Sequence, residues 1–147
     1  MLLRAFKPED LETLLEIDTA CFPPGVSYSV DELESFITHR NSRTWIAVEG
    51  GKAIGFLVAQ KAPYQSVHII TIDVLKEARR RGAGAALMDA AEGWAGGQGA
   101  RLVSLETAED NHPAQAFYKK RGYAKVEKIE GYYENGSAAW VMIKRLE

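Results

Sequence analysis

Apolar positions along the chain change spacing several times, between the every-second pattern of a strand and the three-or-four spacing of a helix, and each change marks an element. Leu2 to Phe6 predicts an opening strand. Pro8 then suits the first turn of a helix, where its missing N–H costs nothing, and Leu11, Leu14, Leu15 and Cys21 give that helix one buried face until Pro23-Pro24-Gly25 stops it. A mobile loop is expected next. Ser29 and Glu32 have the spacing of a capping box, and Leu33, Phe36 and Ile37 form the stripe of a second helix that frays near Asn41.

Trp45–Val48 and Ala53–Ala59 read as strands joined antiparallel through Glu49-Gly50-Gly51-Lys52. Val67–Val74, a β-branched run, is the expected central strand. After an arginine and glycine loop, Leu87, Ala90, Ala91 and Trp94 share a face of a third helix that ends at Gly96-Gly97. Arg101–Thr107 predicts another strand. Asp110-Asn111-His112-Pro113 opens a fourth helix, which carries Ala114, Phe117 and Tyr118 and is closed by Gly122. Tyr123–Ile129 and Ala138–Ile143 form a terminal hairpin turning at Glu134-Asn135-Gly136. The order β-α-α-β-β-β-α-β-α-β-β predicts an α/β (α+β) fold in which helices cover a mixed sheet.

Composition narrows the possibilities. The 147 residues suit one domain, 1–147, large enough to bury a core without metals or disulfides. Eighteen basic against twenty acidic side chains leave a formal charge of −2, so no global positive field argues for nucleic acid or an anionic membrane. Cys21 is the single cysteine, and its apolar neighbours Ala20 and Phe22 point to a buried structural thiol. The N-terminus lacks a signal-peptide core and no stretch of eighteen apolar residues exists, which together predict a cytoplasmic protein.

The most informative chemistry lies in Arg79-Arg80-Arg81-Gly82-Ala83-Gly84, between the central strand and the third helix. Glycines there let a bulky ligand approach the backbone, and the free N–H groups and positive dipole end of the helix favour an anion. An ordinary strand-to-helix turn has a similar composition. Neither G-x-x-x-x-G-K-[ST] nor G-x-G-x-x-G is present, which argues against an ATPase or a dinucleotide enzyme.

Two separated motifs resemble the GNAT acetyltransferase superfamily. The acyl-CoA loop of that superfamily, [QR]-x-x-G-x-[GA], is matched by Arg79, Gly82 and Gly84, and its later element, N-x-x-A-x-x-[LF]-Y-x-x-x-G-[FY], by Asn111, Ala114, Phe117, Tyr118, Gly122 and Tyr123. Within it the chain is most similar to the RimI-like, ribosomal-protein N-terminal acetyltransferases. Ser104-Leu105-Glu106-Thr107 with Asn111 resembles their L-E-V-x-x-S-N, Tyr132-Tyr133 their paired tyrosines, and Phe22-Pro23 a dipeptide before their second helix. Thr107, Asp110 and Pro24-Gly25-Val26-Ser27 depart from that pattern.

The resemblance implies a mostly antiparallel seven-stranded sheet with about four helices, and acetyl-CoA as acyl donor with no metal. It places the donor on the backbone of Ile72, Asp73 and Val74, on Arg79, Arg80, Arg81, Gly82, Ala83 and Gly84, and against Asn111 and Tyr118. Glu106 is the implied base and Tyr118 the thiolate stabiliser and acid; the bland readings are a strand-end carboxylate and a core tyrosine. His68, Tyr132 and Tyr133 are candidates for the acceptor side, and His68 is a rival or assistant to Glu106 as base. The acceptor is expected to be a protein N-terminus, with a small-molecule amine or a lysine side chain as the alternative, in a monomer or homodimer. A non-catalytic acyl-CoA sensor is the rival from another class; nothing points to nucleic acid or membrane.

Overall fold

Ser29 and Glu32 cap the second helix reciprocally: the Glu32 N–H donates to Ser29 Oγ at 3.2 Å and the Ser29 N–H to Glu32 Oε1 at 2.9 Å. This is one of several local expectations met in the computed structural model, which describes all residues from Met1 to Glu147. The strands are β1 (Leu2–Ala5), β2 (Ser42–Glu49), β3 (Lys52–Ala62), β4 (Ser66–Val74), β5 (Leu102–Ala108), β6 (Ala124–Ile129) and β7 (Ala139–Arg145). The helices are α1 (Leu11–Cys21), α2 (Val30–Thr38), α3 (Ala83–Gly97) and α4 (His112–Lys120). Their order matches the one expected from the apolar pattern. Pro8–Asp10 is a separate 3-10 turn rather than the start of α1, and its Asp10 carboxylate is gripped by both Nη atoms of Arg4 at 2.8 Å.

One sheet runs β1-β2-β3-β4-β5-β7-β6, and every neighbouring pair is antiparallel except β4 with β5. β7 lies inside β6, so the terminal hairpin docks by its second strand. Several strands outrun their apolar cores because ladder pairing continues through polar residues, as where Ser42 opposes Gln60. The terminal hairpin has a wide connection: only a small turn, closed by the Gly136 N–H on Tyr133 O at 2.8 Å, forms at the expected Glu134-Asn135-Gly136.

β3 separates two cores. Phe56 and Val58 face α1 and α2 with Leu14, Ile17, Leu33, Ile37 and Ile46; Leu57 and Ala59 face α3 and α4 with Leu87, Met88, Ala91, Val103, Leu105 and Met142. Burying each large side chain contributes roughly 1.5–3 kcal/mol. The buried face of α3 is broader than expected, since Met88 and Ala95 are fully covered, whereas Trp94 is only partly buried, packed edge-on against Trp45.

Two irregularities in β4 create the site. Val58 opposes Thr71 while Ala59 opposes Ile69, leaving Ile70 as an extra residue, and such a bulge bends its strand. On its other edge β4 pairs with β5 only at Ser66 with Leu102, Val67 with Val103 and His68 with Ser104. From Ile69 onward the two strands diverge, and a gap opens at the centre of the sheet.

Candidate active site

The gap leads directly to the arginine and glycine loop. Gly82 caps α3 at φ +88°, a left-handed angle that an L side chain adopts only with strain, and Arg80 also turns left-handed at φ +66°. This path exposes backbone donors: no N–H from Arg81 to Ala85 donates to any group of the chain. Unpaired N–H groups and the positive dipole end of α3 are suited to receive an anion. Gly84 lies against the Phe117 ring, which a Cβ there would touch at 3.4 Å.

The three arginines are not equivalent. Arg79 Nε donates to Val74 O at 2.9 Å, and Arg81 Nη1 pairs with Glu49 Oε1 at 2.7 Å. Arg80 alone has neither kind of partner. The backbone at Ile72–Val74 borders the gap as expected, but the Asp73 side chain turns away from it into the α1 side, where it is buried.

Across the gap, β5 alternates, so Leu105 enters the α3 side and Glu106 projects to the α1 side. There Glu106 Oε1 lies 2.7 Å from His68 Nε2 and accepts the Tyr132 hydroxyl at 3.2 Å. Two residues far apart in sequence therefore converge on one oxygen of Glu106. Burial together with the Glu106 charge and hydrogen bond pushes the Tyr132 hydroxyl up to about 12, so it stays a donor at neutral pH. Tyr133 packs edge-on against Tyr132 at 4.9 Å, and burial raises its hydroxyl as well.

Tyr118 reaches the site from the opposite face. Its ring is buried between Phe117 and Tyr123, and its hydroxyl has no hydrogen-bond partner in the chain. Burial pushes that hydroxyl above its ordinary value, and the nearby Asp73 and Tyr133 add to the effect. Asn111 caps α4, its Oδ1 accepting the Ala114 N–H at 3.3 Å.

The loop expected to be mobile is tied down. Glu134 N–H donates to Gly25 O at 3.1 Å, Tyr28 N–H to Asp18 Oδ2 at 2.7 Å and Tyr28 hydroxyl to Ile70 O at 3.2 Å. The loop before α2 and the loop before β7 thus meet and wall one side of the Glu106 cluster. Cys21 Sγ donates to Val74 O at 3.4 Å, and its thiol, pushed up to about 11 mainly by burial, is structural.

Tyr28 and Asp18 were not candidates from the sequence, although each left a trace. Tyr28 directly precedes the cap Ser29, the position of a hydrophobic staple, and its ring packs on Phe36 at 5.3 Å. Asp18 stands four residues after Leu14, an acid on the apolar stripe of a helix.

Comparison with known proteins identifies the family and the fold. Residues 11–123 match the model of the acetyltransferase (GNAT) family. An N-alpha-acetyltransferase of Saccharolobus solfataricus is 24% identical, the match covering 98% of this chain and 92% of that protein. Among solved structures, Ard1 from Thermoplasma volcanium superposes with a TM-score of 0.88 at 27% identity over 99% of this chain and 97% of that one. The ribosomal-protein-S18-alanine N-acetyltransferase of Escherichia coli shares the fold, with a TM-score of 0.87 at 19% identity over 99% and 94% of the two chains. No helix is long and apolar enough to cross a membrane.

Proposed function

The chain belongs to the acetyltransferase (GNAT) family and is an N-acetyltransferase with acetyl-CoA as donor; from that premise we propose that its acceptor is a protein N-terminal α-amino group. The observation that carries the proposal is the Glu106 cluster at the open gap. One carboxylate, held by His68 and Tyr132, stands where the two strands part. The names of the relatives point the same way.

In this reading pantetheine lies in the gap against the backbone of Ile72, Asp73 and Val74, and the pyrophosphate rests on the N–H groups of Arg81 to Gly84, with Arg79 and Arg80 beside the phosphates. Asn111 and Tyr118 complete the donor side from α4. The acceptor approaches from the α1 side, between Tyr28, Tyr132 and Tyr133.

An amine attacks only when neutral. An α-amino group titrates near ~7.7–8.0 and costs roughly 1 kcal/mol to deprotonate at pH 7, whereas a lysine near ~10.4 costs about 4.6 kcal/mol. A single carboxylate of modest basicity is enough for the first and poorly matched to the second. Glu106 takes the ammonium proton, directly or through one water, and His68 fixes the carboxylate. The nitrogen lone pair forms the C–N bond as the carbonyl electrons pass to oxygen; the adduct nitrogen then gives its second proton to solvent water, the electrons return from oxygen, and the C–S bond breaks with its electrons on sulfur.

Tyr118 donates a hydrogen bond to that sulfur. A thiol near ~8.5 is already a stronger acid than a free tyrosine near ~10, and burial widens the difference, so the proton stays mainly on Tyr118 while the thiolate is stabilised. Solvent supplies the proton that finally neutralises the thiolate as it leaves.

Acetyl-CoA turnover against matched peptides tests the acceptor: one free at its N-terminus without lysine, one N-terminally blocked with lysine, and a polyamine. Acetylation of the first alone is expected. Preference for the lysine peptide or the polyamine would overturn the N-terminal assignment, and acetyl-CoA binding without turnover of any acceptor would point to a sensor.

A further inference from the structure

Two buried acids take no part in the chemistry above. Asp18 on α1 and Asp73 on β4 are 0% and 1% exposed, and each has one oxygen satisfied: Asp18 Oδ2 accepts the Tyr28 N–H at 2.7 Å, and Asp73 Oδ1 accepts the Thr71 hydroxyl. The other oxygens, Asp18 Oδ1 and Asp73 Oδ2, receive no donor from anywhere in the chain, although the two carboxyl groups are hydrogen-bonding neighbours. Two ionised carboxylates cannot hydrogen-bond each other, and two adjacent buried charges would carry a severe desolvation and repulsion cost. A proton between them supplies the donor that the pair lacks and removes one charge.

We propose that Asp18 and Asp73 hold one proton between them, and that this carboxyl pair is a positioning unit fastening the segment that carries Tyr28 to the end of β4 beside the acceptor groove. Asp73 donates and Asp18 accepts: burial and the Asp18 charge hold the Asp73 carboxyl well above the usual carboxylate range, against the opposing pull of Thr71 and Arg79. The groups facing the pair from each side are few. Cys21 approaches from α1, Thr71 from β4, Tyr28 from the loop before α2, Arg79 from the segment after β4 and Tyr118 from α4. Arg79 is the one cation among them, exposed and the weakest of the influences on Asp73, so it does not neutralise the pair by itself and the proton removes the second charge.

The pair closes a ring of contacts. From Asp18 the ring runs to the Tyr28 N–H, from the Tyr28 hydroxyl to the carbonyl of the bulged Ile70, along β4 to Asp73, and back to Asp18. Cys21 on Val74 O reinforces it at 3.4 Å. The proton thereby couples the acceptor wall to the strand segment on the donor side. The kinetic consequence rests on the proposed acceptor side, while the shared proton itself does not.

Three measurements on the full chain test this. Carboxyl-carbon NMR of the wild type should show one of the two aspartates still protonated at neutral pH; two ionised signals would overturn the proposal without any variant being needed. In urea unfolding, a proton kept by the native state and lost by the unfolded one makes stability fall as pH rises. The folding constant should drop by about tenfold per pH unit above the unfolded aspartate range and level off once Asp73 itself ionises. Asp73→Asn, which keeps a donor toward Asp18 but cannot titrate, should flatten that slope by one proton; an unchanged slope would overturn the assignment to Asp73. Asp18→Ala should raise the KM for an N-terminal peptide at least several-fold with the KM for acetyl-CoA little changed, and the reverse split would sink the positioning role. Should no peptide be turned over even by the wild type, the acceptor reading fails while the first two measurements still decide on the proton.

Discussion

His68 Nε2 stands 2.7 Å from Glu106 Oε1, and His68 is also the last residue at which β4 keeps register with β5. The contact therefore bridges the two strands at the point where they separate. Each strand keeps its outer ladder there, His68 opposite Gln60 of β3 and Glu106 opposite Val141 of β7, while the Glu106 carboxylate itself is held by side chains. A base that must move its proton while remaining in place gains from that arrangement.

Replacing the carboxylate should remove the base and keep the shape. Glu106→Gln is expected to lower kcat/KM by about a hundredfold or more, with the larger loss at the acid end of the profile, where the acceptor is most fully protonated. His68→Ala should cost less, because it loosens the carboxylate without removing it. pH–rate profiles of both variants check this: a wild-type profile for Glu106→Gln would remove Glu106 as base, and a larger loss in His68→Ala would transfer the role to His68.

Tyr118→Phe separates chemistry from packing. The hydroxyl has no partner in the chain, so its removal should change stability by less than about 1 kcal/mol, while kcat falls at least tenfold and the acetyl-CoA KM moves less. Thermal unfolding read beside steady-state kinetics decides the matter. Wild-type kcat would leave Tyr118 as a core residue.

Gly84→Glu places a carboxylate at the N-terminus of α3, where the proposed pyrophosphate is also an anion, and forces a longer side chain against the Phe117 ring, 3.4 Å from the position of a Cβ. Calorimetric titration with CoA should show affinity reduced by more than a hundredfold. Retained affinity would mean that the loop from Arg79 to Gly84 does not hold the donor.

Gly25→Ala tests the joined loops. A Cβ there would meet Asn135 at 2.8 Å, and φ is +86°, so the substitution is strained twice over. It should cost more than about 1 kcal/mol of stability and raise the acceptor KM more than the acetyl-CoA KM. Urea unfolding and a KM comparison give the answer; equal effects on both substrates would show that this contact is remote from the acceptor.

Much of the fold was legible because its causes are local. A capping box such as Ser29 with Glu32, an Asn cap such as Asn111 and apolar spacing along β3 and α3 depend on residues within a few positions of each other. The same locality made the anion loop readable, since left-handed Gly82 and the free N–H groups before α3 are properties of one short stretch. By itself, then, the sequence determined the element order, the glycine turn into α3 and the family motifs around Arg79–Gly84 and Asn111–Tyr123. Tertiary structure alone decided what depends on long-range pairing. The bulge at Ile70 and the early end of the β4–β5 ladder set the gap; His68 and Tyr132 meet Glu106 across three segments; Asp18 meets Asp73 from a helix to a strand. Such contacts join residues dozens of positions apart, and their register and side-chain direction are fixed only when the sheet has assembled and the helices have packed on its two faces.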